Sequence, residues 1–199
     1  KSLNNFFTVR DIAKEYDLEA VRLFMLSAHY RSPINFSREQ IEAANASLNR
    51  MYTARNNLKF FLEKAPDREP DAAETEFMDR LKQTEAKFDA AMDDDMNTAD
   101  AIGAIFELIR DANVSLTADS SKKAVESALN SLKALTDVLG LLAREEDELP
   151  EDIRKMVDER AEARKNKDWK RSDELRDAIK AAGYILEDTK QGQKVRKSV

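Results

Sequence analysis

Apolar residues recur at intervals of three and four through most of the chain. Val125, Ala128, Leu132, Leu135, Leu139 and Leu142 alternate strictly in steps of three and four, the spacing that keeps one helix face buried, and they predict a helix over 121–143. Ile102, Ile105, Phe106 and Ile109 predict another over 98–113, and Phe77, Leu81 and Phe88 one over 72–92. A longer stripe of Ile41, Ala44, Leu48, Met51, Leu58 and Leu62 predicts a helix over 38–64. Near the start, Leu18, Val21, Met25 and Ala28 predict a helix from 18 that Pro33 ends, because the residue before a proline avoids the helical region.

Polar residues mark the ends of these segments. Thr8 with Asp11, and Ser37 with Gln40, place a capping hydroxyl three residues before an acid or amide. "APDREPDAAE" carries two prolines, and "MDDDMNTAD" sets three repelling carboxylates before Asn97 and Thr98, either of which is a good cap. Several helices of similar length on short polar connections need one another to bury their stripes, so the pattern predicts an antiparallel helical bundle.

The periodicity changes after the acidic stretch "AREEDELPED" at 143–152. Residues 151–182 are helical in pattern but strongly charged, with a break near "NKDW" where Asp168 caps a helix starting at Trp169. Gly183 then serves as a left-handed stop, and "YILED" and "QKVRK" around "TKQG" predict two short strands. The fold class expected is mostly α, a helical bundle followed by a small mixed α/β C-terminal domain. The expected domains are a connecting segment at 1–36, the bundle at 37–143, a linker at 144–150 and the tail at 151–199.

Composition narrows the chemistry. Of 199 residues, 42% are hydrophobic and 36% charged, with four Gly and four Pro, which suits long amphipathic helices. With no cysteine a thiolate zinc centre is excluded, and with His29 as the one histidine a hydrolase triad is a poor reading. His29 reads as a packing or capping residue. No apolar run is long enough for a membrane span, and no secretory leader pattern appears. The "DDD" at 93–95 lacks the alternate carboxylates and glycine turn of a calcium loop, so it reads as a solvated junction.

The net charge of −6 is unevenly spread. Residues 1–65 hold 10 Lys/Arg against 7 Asp/Glu, residues 66–149 hold 9 against 21, and residues 150–199 hold 14 against 11. The ends can meet phosphate and the middle repels it. In "RAEARKNKDWKRSDELRDAIKAAG", Arg160, Arg164 and Lys167 precede the break, and Trp169 stands among Lys170, Arg171 and Arg176. Trp169 and Asp173 are four apart and share a helix face. An exposed aromatic among cations can stack an unpaired base, and a carboxylate can accept the Watson–Crick protons of guanine. The competing reading has Trp169 filling a small core, with the charges as surface pairs on a non-catalytic helical module that binds a protein partner.

Four stretches carry a family resemblance: "KSLNNFFTVRDI" at 1–12, "EAVRLFMLSAHYRSPINFS" at 19–37, "FDAAMDDDMNTADAIGAIFELIRDAN" at 88–113 and "RAEARKNKDWKRSDELRDAIKAAGYILEDTKQG" at 160–192. The chain resembles the cysteinyl-tRNA synthetases, class I aminoacyl-tRNA synthetases, from within their KMSKS signature to the C-terminus. The resemblance implies a DALR-type bundle and an anticodon-reading tail for tRNA-Cys with anticodon GCA, in a cytoplasmic enzyme that joins cysteine to its tRNA using ATP. It implies that Lys1 and Ser2 are the ATP-contacting end of the KMSKS loop, with Asn4 where the family often has glycine. The ATP pocket and zinc ligands are implied to lie in a catalytic domain upstream, so no complete catalytic site, no metal and no cofactor is expected in this chain. Carried over for anticodon contact are Arg164, Trp169, Asp173 and Asp188, with Asp173 or Asp188 reading the first guanine. Arg22 and Arg31 are implied to support the bundle or the inner corner of the tRNA. A related ligase that attaches cysteine to an amino sugar has no anticodon to read, so the tail from 151 argues against it.

Overall fold

The computed structural model describes residues 8–144, 150–189 and 192–197. Among the described residues stand eight helices, α1 (Val9–Glu15), α2 (Leu18–Leu26), α3 (Arg38–Lys64), α4 (Ala72–Asp93), α5 (Thr98–Ser115), α6 (Lys122–Leu139), α7 (Glu151–Lys165) and α8 (Trp169–Ala181), then strands β1 (Tyr184–Thr189) and β2 (Gly192–Lys197). The protein is mostly helical. It divides into two compact units, Lys1–Arg144 and Glu145–Val199.

In the first unit α3, α4, α5 and α6 share one core, in which Leu48, Met51, Phe77, Ile105, Leu108, Val125 and Leu132 are essentially inaccessible. All but Leu108 are stripe residues of the sequence; on α5 Leu108 is buried where Phe106, named from the pattern, is only partly so. The caps form as their side chains allow: Thr8 accepts from the Asp11 amide, Ser37 from Gln40 and Asn97 from Asp100. Asp71 and Glu74 make a full reciprocal box at the start of α4.

Two ends differ from expectation. Helix α2 stops at Leu26, well before Pro33, where the Ser27 hydroxyl turns back onto the Leu23 carbonyl at 2.6 Å. Its buried residues are Ala20, Leu23 and Phe24, whereas Leu18 and Met25 are 52% and 55% exposed. The helix faces two neighbours: Leu23 enters the main core, and Phe24 joins Ile41 and Ala44 in a separate cluster. Helix α6 ends at Leu139 instead of 143, because Gly140 turns left-handed at φ 63°. The Leu141 amide then reaches the Thr136 carbonyl at 2.9 Å, a Schellman closure that takes Leu142 off the seam.

In the second unit α7 packs on α8 and α8 on β1. Ile153, Arg160 and Ala163 face inward from α7, and Ser172, Leu175 and Ile179 from α8. The strands pair antiparallel, with Tyr184 opposite Lys197 and Asp188 opposite Gln193.

Candidate nucleic-acid interface

The corner between α7 and α8 is three residues long. The Asp168 amide donates to the Ala163 carbonyl at 2.8 Å and the Lys167 amide to that of Arg164 at 3.1 Å, the paired bonds of a Schellman motif. Lys167 occupies its left-handed position at φ 60°. Asp168 immediately caps the next helix, its side chain accepting from the Arg171 amide at 3.1 Å. Trp169 is therefore the first residue of α8, and it is 58% exposed. That exposure overturns the reading in which the indole fills a small core.

Helix α8 buries Ser172, Leu175 and Ile179. At 100° per residue, Trp169, Asp173, Arg176 and Lys180 fall on a single stripe beside that buried face. Asp173 is exposed. The ring and the carboxylate thus stand one turn apart on an accessible stripe. Arg164 lies in the last turn of α7 and is exposed, joined to the stripe through the short corner.

Two of the cations grouped around Trp169 do other work. Arg160 is 1% exposed and is the largest fully buried side chain, because its position on α7 is in register with Ile153 and Ala163. Arg171 projects from the other flank of α8, where it binds Glu159 of α7 at 3.0 Å and approaches Glu174 at 3.6 Å. The backbone register puts Asp188 near the closing end of the hairpin, opposite Gln193; its side chain is outside those described. Lys1 and Ser2 also lie outside the described residues.

The other singled-out residues hold the first unit together. Arg22 donates to the Gly140 carbonyl at 3.2 Å, tying α2 to the end of α6. Arg31 binds Asp95 at 3.0 Å, and Tyr30 donates to the same carboxylate at 2.9 Å. His29 stacks on Tyr30 with centroids 4.9 Å apart and accepts from the Arg31 amide. The third Asp of "DDD" is thus the anchor of "HYR".

A polar hub went unnoticed in the sequence. Glu19 accepts from the Tyr52 hydroxyl at 2.6 Å and from the Leu142 amide, while Tyr52 accepts from the Arg144 amide at 3.1 Å. Arg144 and Arg55 lie over the Tyr52 ring at 4.5 and 4.8 Å, and Arg55 also donates to the Leu142 and Arg144 carbonyls. Burial and the bond to Glu19 raise the Tyr52 phenol above its ordinary range. The one signal available was a cluster of polar residues beside core positions on two helices.

Residues 146–196, which hold this corner, match the family model described as cysteinyl-tRNA ligase anticodon binding domain. Residues 87–143 match the DALR domain, and residues 1–46 match the class I (C) tRNA synthetase catalytic domain. A cysteine–tRNA ligase of Lachnospira eligens is 47% identical over 193 residues, 96% of this chain. The chain belongs to the cysteine–tRNA ligase family. It spans 41% of the length of that relative. Of the zinc the family implies, the chain offers no thiolate, and among the described residues no three His, Asp or Glu stand together as metal ligands. The residues present do not fit such a centre. Among the described residues no helix is long and apolar enough to cross a membrane.

Proposed function

We propose that this chain is the tRNA-binding, anticodon-reading portion of a cysteine–tRNA ligase. The observation that carries the reading is the exposed Trp169 with Asp173 one turn on, in the segment that matches the anticodon-binding domain. A base lifted from the anticodon loop stacks on the indole, a contact every base can make through its π-face. Asp173 or Asp188 accepts the N1 and N2 protons of the first anticodon guanine, and Arg164 reads or clamps a neighbouring base. A carboxylate can take both guanine protons, whereas adenine offers it no such pair.

On this reading the partner is tRNA-Cys with anticodon GCA, and the second unit is a small mixed α/β domain over 151–199 joined by a linker at 144–150 to the bundle at 37–143. The segment at 1–36 exposes Val9, Leu18, Met25 and Tyr30. These apolar side chains form the face that a catalytic domain covers, with Lys1 and Ser2 reaching ATP phosphates there, and with zinc held by residues of that domain. The cytoplasm is the compartment of this work.

The test is binding of the chain to tRNA-Cys and to the same tRNA with its anticodon changed, at one stated salt concentration. The wild-type anticodon binds more tightly; equal affinities overturn the assignment.

A further inference from the structure

We propose that Lys167 is a phosphate contact built into the α7–α8 corner, flanking the base that lies on Trp169. The inference rests on the RNA-binding reading above and adds a residue to it. Lys167 stands at φ 60°, in the position of the Schellman motif where glycine is least strained. A side chain there carries a backbone cost that glycine avoids.

Two comparable helix ends in this chain avoid that cost with glycine. Helix α6 is closed by Gly140 at φ 63° and α8 by Gly183 at φ 85°. At the end of α4 both Asp95, at φ 55°, and Met96, at φ 56°, are left-handed, and the Asp95 carboxylate is bonded to Tyr30 and Arg31. Lys167 differs from all three. It is exposed, and among the described residues its ammonium makes no hydrogen bond or ion pair. Nothing described within the second unit explains a lysine at this position.

Its place in the corner explains it in terms of an RNA ligand. One residue, Asp168, separates Lys167 from Trp169, a Cα distance of at most about 7.6 Å. A lysine stem spans that range and delivers a compact, mobile charge suited to a phosphodiester oxygen. Two neighbouring charged groups are already engaged. Arg171 is held by Glu159 on the far flank, and the Asp168 carboxylate is occupied as the cap of α8. Lys167 thus places an uncommitted cation beside the only exposed indole, where the backbone of a stacked nucleotide passes.

The experiment compares the full chain with Lys167→Gly, Lys167→Arg and Lys155→Gln, using a synthetic anticodon stem-loop RNA carrying GCA over a series of salt concentrations. Lys155 lies 12 residues back along the chain, paired with Glu151 in the first turns of α7, and controls for net charge. Lys167→Gly raises the thermal midpoint, because it relieves the left-handed strain. The same variant weakens RNA binding about fourfold at 0.15 M salt and lowers the slope of log affinity against log salt by about 0.7, the share of one single-strand phosphate. Lys167→Arg keeps wild-type affinity and slope. A wild-type slope in Lys167→Gly, or an equal loss in Lys155→Gln, overturns the proposal. Discrimination between GCA and an altered anticodon by the wild-type chain reports separately on base reading, so the two assignments fail independently.

Discussion

Arg22 and Gly140, 118 residues apart in sequence, meet at the end of α6: the guanidinium donates to the glycine carbonyl at 3.2 Å and stands 1.9 Å from where a Cβ on that residue would be. The left-handed turn and the close approach both require glycine there. Gly140→Ala is expected to destabilise the first unit by about 1–2 kcal/mol, measured by urea unfolding. In an Arg22→Ala background the steric part disappears and the backbone part remains, so the penalty shrinks without vanishing.

Glu74 gives the first unit an acid-sensitive joint. The residue is 6% exposed, yet its pKa falls from 4.5 to about 2. Burial pushes it upward, and the bidentate Arg68 pair at 2.8 and 2.9 Å with the Ser121 and Asp71 amides outweighs that push. The folded value lies below the unfolded one, so the stabilisation is complete above pH 4.5 and is lost as pH falls toward 2. About 2 kcal/mol is expected to go over that window, below the full linkage value because Arg68 faces solvent. Unfolding curves at several pH values check it: Glu74→Gln lowers stability at neutral pH and flattens this part of the profile.

Tyr52→Phe keeps the ring under Arg55 and Arg144 and removes only the hydroxyl, which bonds Glu19 and the Arg144 amide. The expected cost is about 1–2 kcal/mol by chemical denaturation. Hydrogen exchange should quicken at the Arg144 amide, which loses its acceptor.

Trp169→Ala and Asp168→Ala separate binding from folding at adjacent residues. Loss of the exposed ring is expected to weaken RNA binding by about 1–3 kcal/mol, with stability changed by less than about 0.5 kcal/mol. Loss of the cap is expected to lower the stability of the second unit by about 1 kcal/mol. Calorimetry for folding and fluorescence anisotropy for RNA read the two effects apart.

The stripes that became the core were legible because burial repeats with the helix: Leu48, Met51, Leu132 and Phe77 needed no knowledge of their partners. The face of α2 was misjudged since two neighbours on different sides bury adjacent residues, Leu23 and Phe24, and no single period describes that. Gly140 was passed over because apolar residues continue beyond it at the same spacing. At the candidate site, Trp169 and Asp173 followed from a separation of four, and Asp168 from its capping chemistry. The roles of Arg160 and Arg171 depended on which side of its helix each charge falls, and in a segment this polar the buried face is narrow. The Glu19 hub and the Arg31–Asp95 pair join residues distant in sequence, which local patterns do not record.

The exposed indole has one more consequence. Trp169 is the only tryptophan of the chain, and the bundle core contains none. Intrinsic tryptophan emission therefore comes from the α7–α8 corner alone, where the proposed reading places RNA. Stacking of a base on the ring will quench it, so the chain reports ligand occupancy without a label, while melting of the α3–α6 core can pass unseen in the same signal.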